Sequence, residues 1–426
     1  MRLTVVAIVA ALIATPAPAQ DRDNVAAWVQ YAPGGGVEAR VVTKWSECPR
    51  LSIDGSQTTM QERAAPNGDF PLRVCALPIP LGARKVSVLE PLDRMVGANS
   101  QRVADLPLPV ANPLRIMVFG DTGCRIKGGA IQDCNDPAKW PFPQIAAQAA
   151  KLKPDLVIHV GDYLYRESAC PDGDKRCEGT PHGDNWPSWD ADFFAPAAPL
   201  LAVAPWVIVR GNHEDCQRAG PGWLRLLGPN ALNPVAGCME HIPLYTVPLG
   251  DVNLAVMDNT DAPDTTIDTD VRTEYEADFN ALAKEKTPLW LVAHRPIWGA
   301  VTLYGAGMGG NRTLIATLPS TSLLARTSLM LAGHIHTFEA LNYDDRAIPP
   351  QLIAGFGGDA LDAAPTDLSG LNLSGTRVKD GISIGGFGFL MLTRVHGGWR
   401  IDVHKVDGTI EKVCRFANRR LDCPKA

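Results

Sequence analysis

Five apolar runs constrain this chain more than any other feature, because each closes on polar side chains and most do so through a glycine. They are "RIMVFGDTG" from Arg115, "DLVIHVGDYLY" from Asp155, "WVIVRGNHE" from Trp206, "LWLVAHRP" from Leu289 and "SLMLAGHIH" from Ser328. Uninterrupted Val, Ile and Leu predict strands buried on both faces, as in an α/β sheet covered by helices. Helical patterns between the runs, "PFPQIAAQAAKL", "WDADFFAPAAPLLA" and "DVRTEYEADFNALAKE", supply the covering layer. In open α/β sheets, ligands gather beyond the carboxyl ends of the strands. Those ends deliver Asp121, Asp162 with Tyr165, Asn212 with His213, His294, and His334 with His336. The glycine before Asp121, Asp162, Asn212 and His334 is expected to let the backbone turn tightly there.

Taken singly, each of these residues has an ordinary structural role. Gly-Asp is a common turn, His294 could be a satisfied core histidine, Tyr165 could pack its ring, and Asn212 with His213 could form a polar turn. Together they are a set of donors. Carboxylate, amide, imidazole and one phenol make a mixed hard and borderline set that suits Zn, Fe or Mn rather than calcium. Seven donors exceed what one ion takes. With a carboxylate able to bridge, they suit two ions ~3.5 to 4 Å apart, the arrangement used for in-line displacement at phosphorus. Each histidine of "GHIH" would then hold a different ion.

The rest of the chain sets the context. Residues 1–19 give Arg2, an apolar run from Leu3 to Ile13 and an A-x-A pattern at Ala17 to Ala19, which predicts a secretory signal peptide and a secreted or periplasmic protein. That run is far shorter than the ~20 apolar residues of a spanning helix, and no other segment qualifies. Its removal takes away only Arg2, moving the formal charge from -6 to -7, and no basic stripe stands out, so no nucleic-acid surface is expected. Ten cysteines in an exported chain read as disulfides. Sequence order suggests Cys48–Cys75, Cys124–Cys134, Cys170–Cys177, Cys216–Cys238 and Cys414–Cys423, three of which would stiffen loops just after the ligand motifs. Residues 20–110 hold short β-prone pieces separated by Gly, Pro and Asp and predict a small all-β domain; "VADLPLPVANP" reads as the linker into a catalytic domain over 111–426. The tail predicts a hairpin turning at His396 to Gly398.

Some motifs carry no site. "PDGDKRCEG" reads as a solvated acidic turn rather than a calcium loop, and "IAGFGG" lacks the Lys or Ser of a P-loop. His159 reads as a core residue, and the sequons at Asn311 and Asn372 matter only where the source glycosylates.

The order GDxG, GDxxY, GNHE, a lone histidine after an apolar strand, and GHxH resembles the calcineurin-like metallophosphoesterases, over residues 118 to 336. Within them it is most similar to the purple acid phosphatases, because the first motif is "GDTG" without a D-x-H histidine and the second carries Tyr165. The resemblance implies a four-layer αββα sandwich preceded by a small β-sandwich. It implies iron(III) held by Asp121, Asp162, Tyr165 and His336, with Asp162 bridging to divalent iron, zinc or manganese on Asn212, His294 and His334. His213 would meet the substrate phosphate as a hydrogen-bond donor and acid. The implied reaction is hydrolysis of a small phosphomonoester by a metal-activated hydroxide. A phosphodiesterase or nucleotidase using the same ions is the alternative, and a non-catalytic metal-binding export protein is a third class. One departure is plain: mammalian-type purple acid phosphatases carry a second histidine on the loop after the His294 equivalent, and "AHRPIWGAVTLYGAG", around Leu303, has none.

Overall fold

The computed structural model describes residues 24–94, 101–233, 237–303, 306–363 and 365–424. The expected signal peptide lies outside them. All five apolar runs form strands, but in two different sheets. Arg115–Phe119, Leu156–His159 and Trp206–Ile208 run parallel in an 11-stranded sheet. Leu289–Val292 and Thr327–Ala332 run parallel in an 8-stranded sheet, flanked by the parallel strands Asn253–Val256 and Gln351–Ala354. Parallel neighbours share a direction, so the carboxyl ends within each sheet lie along one edge.

The alternation of side chains across each strand sorts the core into layers. Ile116, Val118, Ile158 and Val207 of the first sheet meet Leu254, Val256, Trp290, Val292 and Leu331 of the second in one apolar core. The intervening residues Met117, Phe119, Val157 and Trp206 face outward against Phe142, Ile145, Trp189 and Phe193. On the other side Leu289, Leu291 and Met330 face Tyr275, Phe279 and Leu282. Two sheets stacked between two helical layers is the αββα sandwich that the family resemblance implies.

The helices form where their sequences allow. Phe142–Lys151 buries Phe142, Ile145, Ala146 and Ala149, the spacing of one helical face, and Pro143 sits in its first turn, where a missing N–H costs nothing. Thr269–Leu282 is capped by the Asp268 carboxylate, which accepts from the N–H groups of Asp270 at 3.0 Å and Val271 at 3.2 Å. Between Trp186–Trp189 and Ala195–Leu201 the chain widens into a π turn over Asp190–Phe194, which aims the buried Asp192 inward.

The N-terminal segment is all-β, and its strands do not stand apart. Asn24–Tyr31 runs parallel to Trp206–Ile208, with Gln30 opposite Trp206, and Val37–Thr43, Arg73–Ile79 and Gln61–Ala64 continue the large sheet from it. The remaining pieces, Arg50–Ile53, Ser56–Thr59, Val86–Leu89 and Arg102–Leu106, form a separate 4-stranded sheet. The start of the expected linker, Val103 to Leu106, therefore belongs to a strand, because it pairs with Val86–Leu89. The tail hairpin turns where expected, with Val395 opposite Gly398.

The five disulfides pair the cysteines in sequence order. Cys48–Cys75 ties the approach to the 4-stranded sheet onto the large one. Replacing both cysteines by alanine is expected to lower the free energy of unfolding by about 2–4 kcal/mol, because the bond closes a 27-residue separation that the unfolded chain otherwise leaves open. Urea unfolding should show the lower midpoint; an unchanged midpoint would refute that role.

Candidate metal centre

The carboxyl ends of the two sheets meet, and the eight sequence-predicted residues come together there. Three of them take up left-handed backbone that side-chain-bearing residues seldom adopt: Asp121 at φ 56°, Asp162 at φ 59° and His334 at φ 70°. Such strain persists only where the surroundings over-determine it, which is typical of binding sites. The expected reason for the glycines needs correcting. Gly161 does turn at φ 100°, but Gly211 is extended at φ -105°. Gly211 and Gly333 instead provide clearance. A Cβ on Gly211 would meet Asp162 Oδ1 at 2.1 Å, and one on Gly333 would meet Asp121 Oδ2 at 2.5 Å.

The donors fall into two groups that share one carboxylate. In the first, Tyr165 Oη lies 2.8 Å from Asp162 Oδ2, 3.1 Å from Asp121 Oδ1 and 3.1 Å from His336 Nε2. In the second, His294 Nε2 lies 3.2 Å from Asp162 Oδ2 and 3.0 Å from Asn212 Oδ1. One ligand atom each from Asp162, His294 and His334 lies within 4.8 Å of the others. Asp121, Asp162, Tyr165, His294 and His336 are all buried.

The electrostatics of this donor set fit cations. Burial opposes ionisation of Asp162, yet the imidazoles of His294 and His213 hold its carboxyl well below the usual range. Burial, with the charges of Asp121 and Asp162, pushes the Tyr165 phenol well above its ordinary value. Burial disfavours a charged His336, but the charges of Asp359 and Asp121 override it and hold the imidazole protonated. Without a metal, protons held on the His294 and His336 imidazoles offset the buried carboxylates; a bound cation takes their place, as metal uptake at deprotonated ligands requires.

His213 lies beside this cluster. Its ring lies against that of Tyr165, tilted by 36° with centroids 3.7 Å apart, its Nδ1 is 2.8 Å from Glu167 Oε1, and its Nε2 is 3.9 Å from Asp162 Oδ2. Its backbone N–H donates to Asp162 Oδ1 at 2.8 Å.

Several residues that hold the site escaped sequence reasoning. Asp192 accepts from the N–H groups of Cys124 at 3.1 Å and Tyr165 at 2.9 Å, joining the first two motif loops. Glu214, the last residue of "GNHE", accepts from the N–H groups of Tyr163 at 2.8 Å and Leu164 at 3.1 Å; burial and the Asp162 charge push its carboxyl up to about 8. Asp359 lies 3.1 Å from His336 Nδ1 and Asp264 lies 3.0 Å from His334 Nε2. Asp359 had a signal: "IAGFGG" before it is another strand ending at the same edge, and a Cβ on Gly355 would meet Asp121 Oδ2 at 2.8 Å. Asn311 is 1% exposed, with its amide on Ala262 O and Asp264 Oδ1, so its sequon serves the fold and not a glycan. His159 is a core residue, hydrogen-bonded to Thr122 and stacked on Tyr163.

Comparison with known proteins agrees with this architecture. The profile of the calcineurin-like phosphoesterases matches residues 114–338, more than half of the chain. Purple acid phosphatase 21 of Arabidopsis thaliana is 28% identical over 186 residues, a match that spans 41% of this chain and only 40% of that protein. Among solved structures, a purple acid phosphatase from yellow lupin (Lupinus luteus) seeds aligns with a TM-score of 0.60 at 14% identity, over 92% of this chain and 74% of its own. PhoD aligns at 0.57 with 10% identity, over 94% and 92%. At these identities the two structures share the fold.

Gly211→Ala tests the packing around Asp162. The added methyl has no space that does not displace the shared carboxylate, so the variant should keep its circular dichroism spectrum and lose at least one of two metals by elemental analysis. Full metal content would show that the turn can yield.

Proposed function

The chain belongs to the calcineurin-like phosphoesterases, and from that premise we propose that it is an exported purple-acid-phosphatase-like enzyme that hydrolyses small phosphomonoesters. Membership makes it a metal-dependent phosphoric ester hydrolase of a family with two-metal centres. Asp121, Asp162, Tyr165 and His336 would hold iron(III), and Asp162, Asn212, His294 and His334 would hold divalent iron, zinc or manganese. The observation that carries this reading is the placement of Tyr165 Oη against Asp162, Asp121 and His336 at 2.8 to 3.1 Å. A phenol buried among carboxylates and an imidazole, with no apolar reason for its oxygen to be there, suits a hard trivalent cation.

When bound, the two cations supply an acidified water and charge that offsets the phosphate oxygens. The chain does the rest. His294 donates from Nδ1 to Val160 O at 2.8 Å, which leaves Nε2 free for a metal. His213, anchored at Nδ1 by Glu167, presents Nε2 toward the centre, where it can donate to a substrate oxygen and give up a proton to the leaving group. Burial opposes ionisation of Glu167, but hydrogen bonds from His213 and Arg218 bring it down to about 2, so it stays charged behind the ring. With no second histidine near Leu303, His213 would carry leaving-group protonation alone. The N-terminal stretch over 20–110 is proposed as an extension of the catalytic region, 111–426, that lengthens its sheet. Export is supported by the apolar start of the sequence and by five disulfides, and no helix among the described residues is long and apolar enough to cross a membrane.

Tyr165→Phe keeps the ring and removes the oxygen. The oxidised wild type should be coloured by a phenolate-to-iron band, and the variant should lose that band while staying folded. A colourless wild type with two zinc or manganese ions, or a variant with an unchanged spectrum, would return Tyr165 to packing.

Substrate class is checked by turnover of nitrophenyl phosphate against bis(nitrophenyl) phosphate. The monoester should lead by at least about tenfold in kcat/KM, equivalent to about 1.4 kcal/mol of transition-state discrimination. The reverse preference would make the chain a diesterase on the same centre.

A further inference from the structure

His334 and His336 stand two residues apart in one turn, yet the proposed centre needs them on different cations. Their outer partners differ in a way that accounts for this. The Nε2 of His334 lies 3.0 Å from Asp264 Oδ2. Arg295 Nη1 lies 3.2 Å from the same nitrogen, so Nε2 is taken up by the Asp264–Arg295 ion pair, with the nearer carboxylate as the acceptor of its proton, and Nδ1 is the donor atom left to face the centre. Asp264 is itself held: Arg295 pairs with its Oδ2 and the buried amide of Asn311 donates to its Oδ1 at 2.9 Å. For His336 the nitrogens are exchanged. Its Nδ1 lies 3.1 Å from Asp359 Oδ2 and 2.8 Å from Ala360 O, two acceptors that hold a proton there, which leaves Nε2, 3.1 Å from Tyr165 Oη and 3.2 Å from Asp121 Oδ1, as the nitrogen that faces the centre. Asp359 is held in turn by Arg125, whose guanidinium carbon sits 5.4 Å from the centre of the Tyr165 ring.

The same motif recurs at His213, where Glu167 takes Nδ1 and Arg218 holds Glu167. Each of these arginines offsets the charge of a carboxylate that would otherwise add to an already acidic centre. The backbone contributes as well, since the left-handed turn at His334, at φ 70°, places its N–H 3.0 Å from Asp121 Oδ2.

We infer that Asp264 and Asp359 are positioning residues that sort the two histidines of "GHIH" between the two cations, Asp264 with Arg295 and Asn311 orienting His334 toward the divalent ion, and Asp359 with Arg125 orienting His336 toward the Tyr165 ion. This rests on the two-metal reading above. Each carboxylate acts through its histidine, by fixing which ring nitrogen faces inward. Outer-sphere partners of metal-bound histidines commonly change metal affinity by 10- to 100-fold when removed.

The test compares Asp264→Ala and Asp359→Ala in full-length protein loaded with iron and zinc, with chelator competition read separately for each metal by elemental analysis. Asp264→Ala should weaken zinc retention about 10- to 100-fold and leave iron in place; Asp359→Ala should weaken iron and leave zinc. Asp264→Asn and Asp359→Asn, which keep the shape and one acceptor, should restore part of the lost affinity and guard against a folding defect. Wild-type retention of both metals in the alanine variants, or equal loss of both metals in each, would overturn the inference while leaving the two-metal reading intact. A wild type that takes up fewer than two metals would overturn the two-metal reading first.

Discussion

The structure turns on one buried charge. Asp162 is 1% exposed, and isolating a carboxylate from water costs several kcal/mol even after relaxation. Its surroundings answer that cost from several directions: Tyr165 Oη and His294 Nε2 on one oxygen, the His213 N–H on the other. Two of these residues come from loops of the first sheet and His294 comes from the second. The two sheets therefore have to close on each other before the charge is satisfied, and the cations implied by the family complete what protons hold in place otherwise.

Holding those loops in register takes a further layer of buried acids. Asp192, turned inward by the π segment, fastens the Cys124 and Tyr165 backbones together, and Glu214 fastens the Tyr163–Leu164 backbone to the "GNHE" turn. Disulfides at Cys124–Cys134, Cys170–Cys177 and Cys216–Cys238 then limit how far the same loops can open. Rigidity is what a charge-neutralising centre needs, because preorganised dipoles and donors lose their effect if they must reorient during the reaction.

The long sheet serves this rigidity at a distance. Strands from the N-terminal segment extend it on one side and the C-terminal hairpins on the other, so the three parallel strands that carry Asp121, Asp162 and Asn212 lie in its interior. Interior strands have both edges paired, which suppresses the fraying that would move their terminal residues.

Much of this was legible in the chain itself. The apolar runs ending in Gly-Asp, Gly-Asn-His and Gly-His-Ile-His determined the strands, their burial and the identities of the inward-facing donors, because strand periodicity and glycine-polar endings are local properties. Cysteine order likewise matched the pairing, since each partner is the next cysteine along the chain. Only the tertiary structure decided that the strand ends belong to two sheets, that Gly211 and Gly333 give clearance rather than turns, and that the N-terminal strands join the large sheet. It alone brought Asp264, Asp359 and Glu167 behind His334, His336 and His213. The physical reason is sequence separation: Asp264 lies 70 residues before His334, and nothing local in "APDTT" shows that its carboxylate will face an imidazole from another strand end.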